Sequence, residues 1–231
     1  MIAILGAMDG EIAEFLGALD RKKEERWTDF VFHTGMLEDR EVVVMKSGVG
    51  KVMAAMVTQR LIDAYRPRAV IFTGLAGGIS DRLEIGDTLV AEDCIQHDLD
   101  ASSLGFKRGE VPYSPYRVLV CDRTLVDAAS FCIPEKGKAV RGRVLTGDQF
   151  ITKRDFASHR HLLEELKGDA VEMEGAAAGL VATVNKVPFL LIRTISDRAD
   201  SNAKTDFHAF LSRASRNSLH FVRHVLRRVY G

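Results

Sequence analysis

Short β-branched apolar runs alternate with helical patterns along the whole chain, and this alternation limits the possible folds more than any other feature. Runs at about 2–6, 30–36, 41–46, 69–73, 87–92, 139–146, 169–173 and 188–194 read as strands. Between them, apolar residues recur at helical spacing over 9–19, 50–65, 154–166, 174–185 and 206–229. The second of these carries Val52, Ala55, Met56, Leu61 and Ile62 and stops before Pro67, which cannot continue a helix. The order predicts an α/β protein, a three-layer α/β/α sandwich around a central mixed, largely parallel sheet. Residues 28–45, with polar Glu38, Asp39 and Arg40 between two apolar arms, read as an antiparallel hairpin. No linker, repeat or low-complexity tract divides residues 1–231, so one domain is expected. The longest irregular stretch, about 97–117, contains Gly105, Gly109, Pro112 and Pro115; loops of that length often carry function.

Composition excludes several function classes. Thirty-two basic and thirty-two acidic residues cancel, which removes the electrostatic footprint of a nucleic-acid binder. The local exception is the last segment, where His220, Arg223, His224, Arg227 and Arg228 interleave with apolar residues; it reads as an amphipathic helix with a solvated basic face. Cys94, Cys121 and Cys132 are odd in number and lack paired CxxC spacing, which fits a reducing cytoplasm better than a zinc site or a disulfide framework. No apolar run reaches the length needed to span a bilayer, so a soluble protein without a membrane partner is expected.

Three acids follow short apolar runs. Glu11 comes after 2–5, Glu174 after 170–171 and Asp197 after 188–192, so each should stand at the carboxyl end of a strand. In α/β sheets such ends share one crevice, and carboxylates gathered there commonly perform acid and base chemistry. Each also has a plainer role open to it. Glu11 and Glu174 suit the first turn of a helix, and Asp197 suits an N-cap or an ion pair with Arg193 or Arg198. Phe150 alone would more often be a core aromatic than a ligand platform.

Several tempting signals fail. Ser47-Gly-Val-Gly-Lys51 suggests a phosphate loop, but Met45 stands at the first glycine position and Val52 where a magnesium-holding Ser or Thr belongs. Gly6-Ala-Met-Asp-Gly10 and Gly74-Leu-Ala-Gly-Gly78 do not match the dinucleotide fingerprint, although glycines after a strand allow backbone to approach a ligand closely. His97 with Asp98 and Asp100, and His159 with His161, lack convincing metal spacing. Ser196 neighbours an acid and sits in no nucleophile elbow.

Six segments together point further. Gly6-Ala-Met with Glu11, Lys46-Ser-Gly-Val-Gly-Lys51, Thr73-Gly-Leu-Ala-Gly-Gly78, Gly147-Asp-Gln-Phe-Ile151, Val171-Glu-Met-Glu174 and Arg193-Thr-Ile-Ser-Asp197 occur in this order. In these segments the chain resembles the bacterial 5′-methylthioadenosine/S-adenosylhomocysteine nucleosidases over nearly its full length. The resemblance implies a nucleoside-phosphorylase-like fold, a cytoplasmic homodimer and no cofactor or metal. The implied reaction hydrolyses the bond between adenine and a 5′-thio-substituted ribose, a step of methionine salvage, with 5′-deoxyadenosine as a further substrate. Asp197, oriented by Ser196, would protonate the purine at N7; Glu11 would take the proton of the attacking water; Glu174 would hold the ribose hydroxyls; Arg193 would position the water or Glu174, with a plain salt bridge as its alternative. The remaining substrate-binding residues implied are Met8, Val49, Ala76, Gly77, Phe150 under the adenine, the Ile151 backbone at its amino edge, Glu172 and Met173. Of the two carboxylates in Glu172-Met-Glu174, Glu172 is also expected to play a structural role. Phe207 would belong to a flap following Ser201-Asn-Ala-Lys204, and Ala101, Leu104 and Pro112 would reach across a dimer interface to an apolar 5′ pocket.

The chain departs from the family pattern at Leu75, where serine is common, and at Leu104, where an aromatic is common. A smaller contact at Leu104 could admit a bulkier 5′ group, including a futalosine-type nucleoside. Leu75 offers no donor to phosphate, which favours hydrolysis over a purine nucleoside phosphorylase. Retention of all three acids argues against a nucleoside-binding protein without catalysis.

Overall fold

The computed structural model describes residues 1–152, 158–198 and 203–231, the side chains of Arg198 and of residues 203–209 excepted. Among the described residues ten strands follow in chain order: β1 Ile2–Gly6, β2 Asp20–Trp27, β3 Phe30–Leu37, β4 Arg40–Lys46, β5 Val70–Gly78, β6 Thr88–Gln96, β7 Leu119–Val120, β8 Ala139–Thr146, β9 Ala170–Glu172 and β10 Phe189–Arg198. The α-helices are α1 Asp9–Ala18, α2 Lys51–Tyr65, α3 Arg123–Ser130, α4 His161–Glu164, α5 Gly175–Val184 and α6 Ala203–Tyr230.

Parallel pairing runs through the centre, where β4, β1, β5 and β10 lie side by side. Each of these strands carries a β-branched or apolar run buried on both faces, as a sheet covered by helices requires. Strands β4, β3 and β2 continue outward as an antiparallel meander. On the other side β10 pairs antiparallel with β6, β6 and β8 pair in parallel, β8 and β9 likewise, and β9 returns antiparallel to β5. Strands β5, β10, β6, β8 and β9 therefore close into a ring, and closure leaves no free edge on that side.

The strand β5 decides where a ligand can enter. Its Val70, Ile71 and Phe72 pair with β1, whereas its Gly77 and Gly78 pair with β9. Between those stretches the two neighbours diverge, and a crevice opens over Thr73–Ala76. The carboxyl ends of β1 and β9 lead directly into it, the geometry expected of a ligand site in an α/β sheet.

The expected helices agree closely with α1, α2, α5 and α6. The helix expected over 154–166 is described only from residue 158, where a turn leads to the single helical turn of α4. Strand β2 was not expected, because Asp20-Arg-Lys-Lys-Glu-Glu-Arg-Trp27 has no apolar run; it is an exposed edge strand whose charges discourage pairing with another chain. Helix α3 was also unforeseen, though Asp122 caps it by accepting from the Leu125 amide at 3.0 Å. The 97–117 stretch contains only a short 3₁₀ turn at Ser102–Leu104. Among the described residues no helix is long and apolar enough to cross a membrane.

Candidate active site

A cavity of about 140 Å³ fills the crevice. Ala7, Met8 and Glu11 reach it from the turn into α1, Leu75, Ala76 and Gly77 from β5, Gln149, Phe150 and Ile151 from the loop after β8. The segment Val171–Glu174 lines it from β9, Ser196 and Asp197 from β10, and Val49 from the loop before α2. The three sequence-predicted acids thus meet in one space.

Glu11 sits in the first turn of α1 and folds back toward the residues before it. Its Oε2 accepts from the amides of Ala7 at 2.6 Å and Met8 at 3.1 Å, and its Oε1 accepts from the Leu75 amide at 3.0 Å. Burial raises its pKa, against the charge of Arg193 and the three amides, so the carboxylate is both ordered and more basic than usual. Helix α6 holds α1 from behind: Ser215 Oγ donates to the Glu11 carbonyl at 3.0 Å and accepts from the Glu14 amide at 3.2 Å. Gly74 is required beside it, because a Cβ there would overlap Glu11 Oε1 and the Arg193 guanidinium.

Among the described residues Arg193 is the largest side chain that is essentially closed to solvent. Its guanidinium lies 4.9 Å from the centre of the Phe72 ring, donates from Nη2 to Glu172 Oε2, and stands 3.6 Å from Glu174 Oε2. Burial acts against its charge, but Glu172, Glu174 and Glu11 outweigh burial and raise its pKa. Glu172 is fully engaged within the protein. Its Oε1 receives the Thr146 hydroxyl, and its Oε2 receives Arg193 and the amides of Glu174 at 3.0 Å and Gly175 at 2.8 Å. It lines the cavity, yet both oxygens are spent on holding Arg193 and the start of α5.

Glu174 is the N-cap position of α5, and its Oε1 accepts from the Gly50 amide at 2.9 Å. Burial first, and then the charge of Glu172, push its pKa up to about 8.

A bulge positions Asp197. The register of β10 against β5 shifts between Ile195 and Asp197, so Ser196 is an extra residue and Asp197 turns into the cavity. Ser196 Oγ donates to Asp197 Oδ1 at 2.6 Å, with the Ala76 carbonyl a longer alternative at 3.4 Å. Phe150 also lines the cavity and is half exposed, an open aromatic face, while Ile151 is buried in a small apolar cluster with Ile79, Ile95, Leu145 and Val171. Met8, Val49, Ala76, Gly77 and Met173 all line the cavity.

Ala101, Leu104 and Pro112 do not line this chain's own cavity, and Leu104 is 69% exposed. The side chain of Phe207 and the segment 199–202 lie outside the described residues. Sequence reasoning did not single out Ala7, Gln149 or Val171; the first two adjoin residues it did name, and Val171 looked like an ordinary strand residue. Among the described residues no three of His, Cys, Asp and Glu converge as metal ligands.

The model of the phosphorylase superfamily matches residues 1–227. The 5′-methylthioadenosine/S-adenosylhomocysteine nucleosidase of Shewanella loihica is 38% identical over 220 residues, 94% of each chain. The chain belongs to this nucleosidase family. The solved nucleosidase of Colwellia psychrerythraea 34H, in complex with adenine, superposes with a TM-score of 0.93 at 35% identity, over 99% of this chain and 95% of that one. The futalosine hydrolase of Helicobacter pylori is also similar, with a TM-score of 0.89 at 34% identity, over 99% of this chain and 97% of the other. The fold is thus the nucleoside-phosphorylase-like α/β fold.

Proposed function

We propose that this chain hydrolyses the N-glycosidic bond of 5′-methylthioadenosine and S-adenosylhomocysteine, and of 5′-deoxyadenosine, releasing adenine and the 5′-substituted ribose. The observation that carries this reading is the convergence of Glu11, Glu174 and Asp197 on one cavity that also presents the open face of Phe150. Adenine stacks on Phe150, and the backbone of Ile151 meets its amino edge. Asp197, oriented by Ser196, gives a proton to N7 as the bond from the anomeric carbon to the purine breaks and its electron pair moves onto the base. General acid assistance of this kind contributes about 10²–10⁴-fold.

The sugar becomes positive as adenine leaves. Glu174 binds the ribose hydroxyls, and its carboxylate stabilises that charge. A water attacks the anomeric carbon while Glu11 accepts its proton, a task suited to a carboxylate made more basic by burial. Arg193 keeps Glu11 and Glu174 in place and balances their charge. Leu75 donates only its backbone amide, already bound to Glu11, so a phosphate would find no donor there and would meet the Glu11 charge. Hydrolysis is favoured over phosphorolysis for that reason.

The functional unit is a cytoplasmic homodimer, acting in methionine salvage, in which Ala101, Leu104 and Pro112 of one subunit close the 5′ pocket of the other. Apolar Leu104, Val52 and Met56 left exposed at 69%, 75% and 41% support such a contact, and light scattering tests it. The activity is tested by incubating the protein with 5′-methylthioadenosine, with and without phosphate. Adenine and free methylthioribose without phosphate are expected. A strict phosphate requirement with a ribose 1-phosphate product would make it a phosphorylase. Release of base from futalosine alone would move the substrate to that class.

A further inference from the structure

The glycine-rich segment that imitates a phosphate loop has a different use here. Gly50 and Lys51 begin α2, and their consecutive amides each bind a carboxylate from a different part of the site. The Gly50 amide donates to Glu174 Oε1 at 2.9 Å, and the Lys51 amide donates to Asp148 Oδ1 at 2.8 Å. Gly50 has φ +94, and a Cβ on it would press on Asp148 Oδ1 at 3.2 Å, so only glycine suits this double contact.

The Lys51 side chain completes the junction. Its Nζ lies 2.7 Å from Asp98 Oδ1 and 3.8 Å from Asp148 Oδ2, and Asp98 Oδ2 accepts from the Asp148 amide at 2.9 Å. Lys51 and Asp98 are 18% and 31% exposed, so the ion pair is partly withdrawn from water and stronger than a surface pair. Asp98 and Asp148 are two adjacent carboxylates beside one helix start, and Lys51 is the cation that reaches both. Burial opposes ionisation of Asp98, yet Lys51 and the Asp148 amide hold its pKa below the ordinary value.

Asp148 directly precedes Gln149, Phe150 and Ile151, which line the cavity, and Glu174 lines the same cavity from the start of α5. We propose that Lys51 is a positioning residue that, with Asp98, locks the purine-holding loop at 147–151 to the Glu174 end of the site through the first turn of α2. This inference rests on the nucleosidase reading above. It goes beyond it by making purine affinity depend on a cation that touches neither purine nor sugar.

Adenine binding by calorimetry provides a test independent of turnover, applied to the wild type, Lys51→Met, Lys51→Arg, Asp98→Asn and the Lys51→Met/Asp98→Asn double variant. Losing one charge-assisted contact that orders the loop should weaken adenine binding about tenfold in Lys51→Met. KM for 5′-methylthioadenosine should rise in proportion, with kcat changing much less. Lys51→Arg should recover most of the loss, and the double variant should lose no more than the worse single one, because the two residues act through one contact. Wild-type affinity in Lys51→Met, or losses that simply add in the double variant, would overturn the proposal. If Lys51→Met fails to fold, Asp98→Asn alone decides, since unchanged adenine affinity there has the same meaning. A wild-type protein that binds no adenine would instead refute the nucleosidase reading itself.

Discussion

Glu172 is the residue whose replacement tests the site's architecture most directly. Its carboxylate accepts from Arg193, from the Thr146 hydroxyl and from the amides of Glu174 and Gly175, and Thr146 Oγ1 itself accepts from the Ala176 amide at 2.8 Å. All of these groups are buried. In Glu172→Gln the side-chain oxygen can serve only one side, so the new NH₂ faces a donor that previously had an acceptor. The change also removes the nearest counter-charge of a guanidinium that is closed to solvent. Breaking one partner of a buried ion pair typically costs about 3–5 kcal/mol. Glu174 and Glu11 still face Arg193, which puts the expectation at the lower end, about 3 kcal/mol. For a chain of this size that corresponds to a fall of roughly 6–12 °C in melting temperature. Thermal unfolding followed by circular dichroism at neutral pH measures it. The same substitution removes the charge that helps raise Glu174, so the Glu174 pKa should fall below about 8 and the pH dependence of kcat/KM should move to lower pH. A melting temperature within about two degrees of the wild type, together with an unmoved pH profile, would refute the account of Glu172 as the anchor of Arg193.

Asp197→Asn should leave binding of 5′-methylthioadenosine near normal and lower kcat by about 10²–10⁴-fold; near-normal turnover would remove Asp197 as the acid. Glu11→Gln keeps the shape but cannot accept a proton and turns an NH₂ toward at least one of the amides of Ala7, Met8 and Leu75. Its kcat should fall far more than its affinity, and an unchanged rate in a steady-state assay would exclude the base role. His97 is buried, and burial, only partly offset by Asp98, lowers its pKa to about 4 from an ordinary 6.5. The unfolded chain therefore binds the proton first: stability is full above about pH 6.5 and is lost as pH falls toward 4, by up to about 3 kcal/mol from this group. Urea unfolding across that window should show a flatter pH dependence in His97→Gln, and parallel curves would exclude His97 as a source of the slope.

The elements of the central sheet and the residues at their ends are legible in the chain's own apolar pattern. Apolar runs as long as those in β1, β4, β5 and β10 have no stable place except inside a covered sheet, and the acids directly after them were bound to cluster at one end of it. What it left open was every relation that depends on which strands become neighbours. The charged strand β2 has no burial signal because it is an edge, held by backbone pairing rather than by apolar area. Nothing local names the partners of Glu172. The tertiary structure shows why its oxygens are spent elsewhere: Thr146 and Arg193, 26 and 21 residues away, converge on it only once β8, β9 and β10 join the ring. Lys51 stands out locally only as the end of a glycine-rich segment, and its ties to Asp98 and Asp148, 47 and 97 residues away, form at α2 only after folding. Local pattern fixes what a segment becomes, since that follows from its own burial and backbone preferences. Which side chains share a charge, a proton or a cavity follows from topology, and in this protein from the switch of β5 between two partners that opens the site.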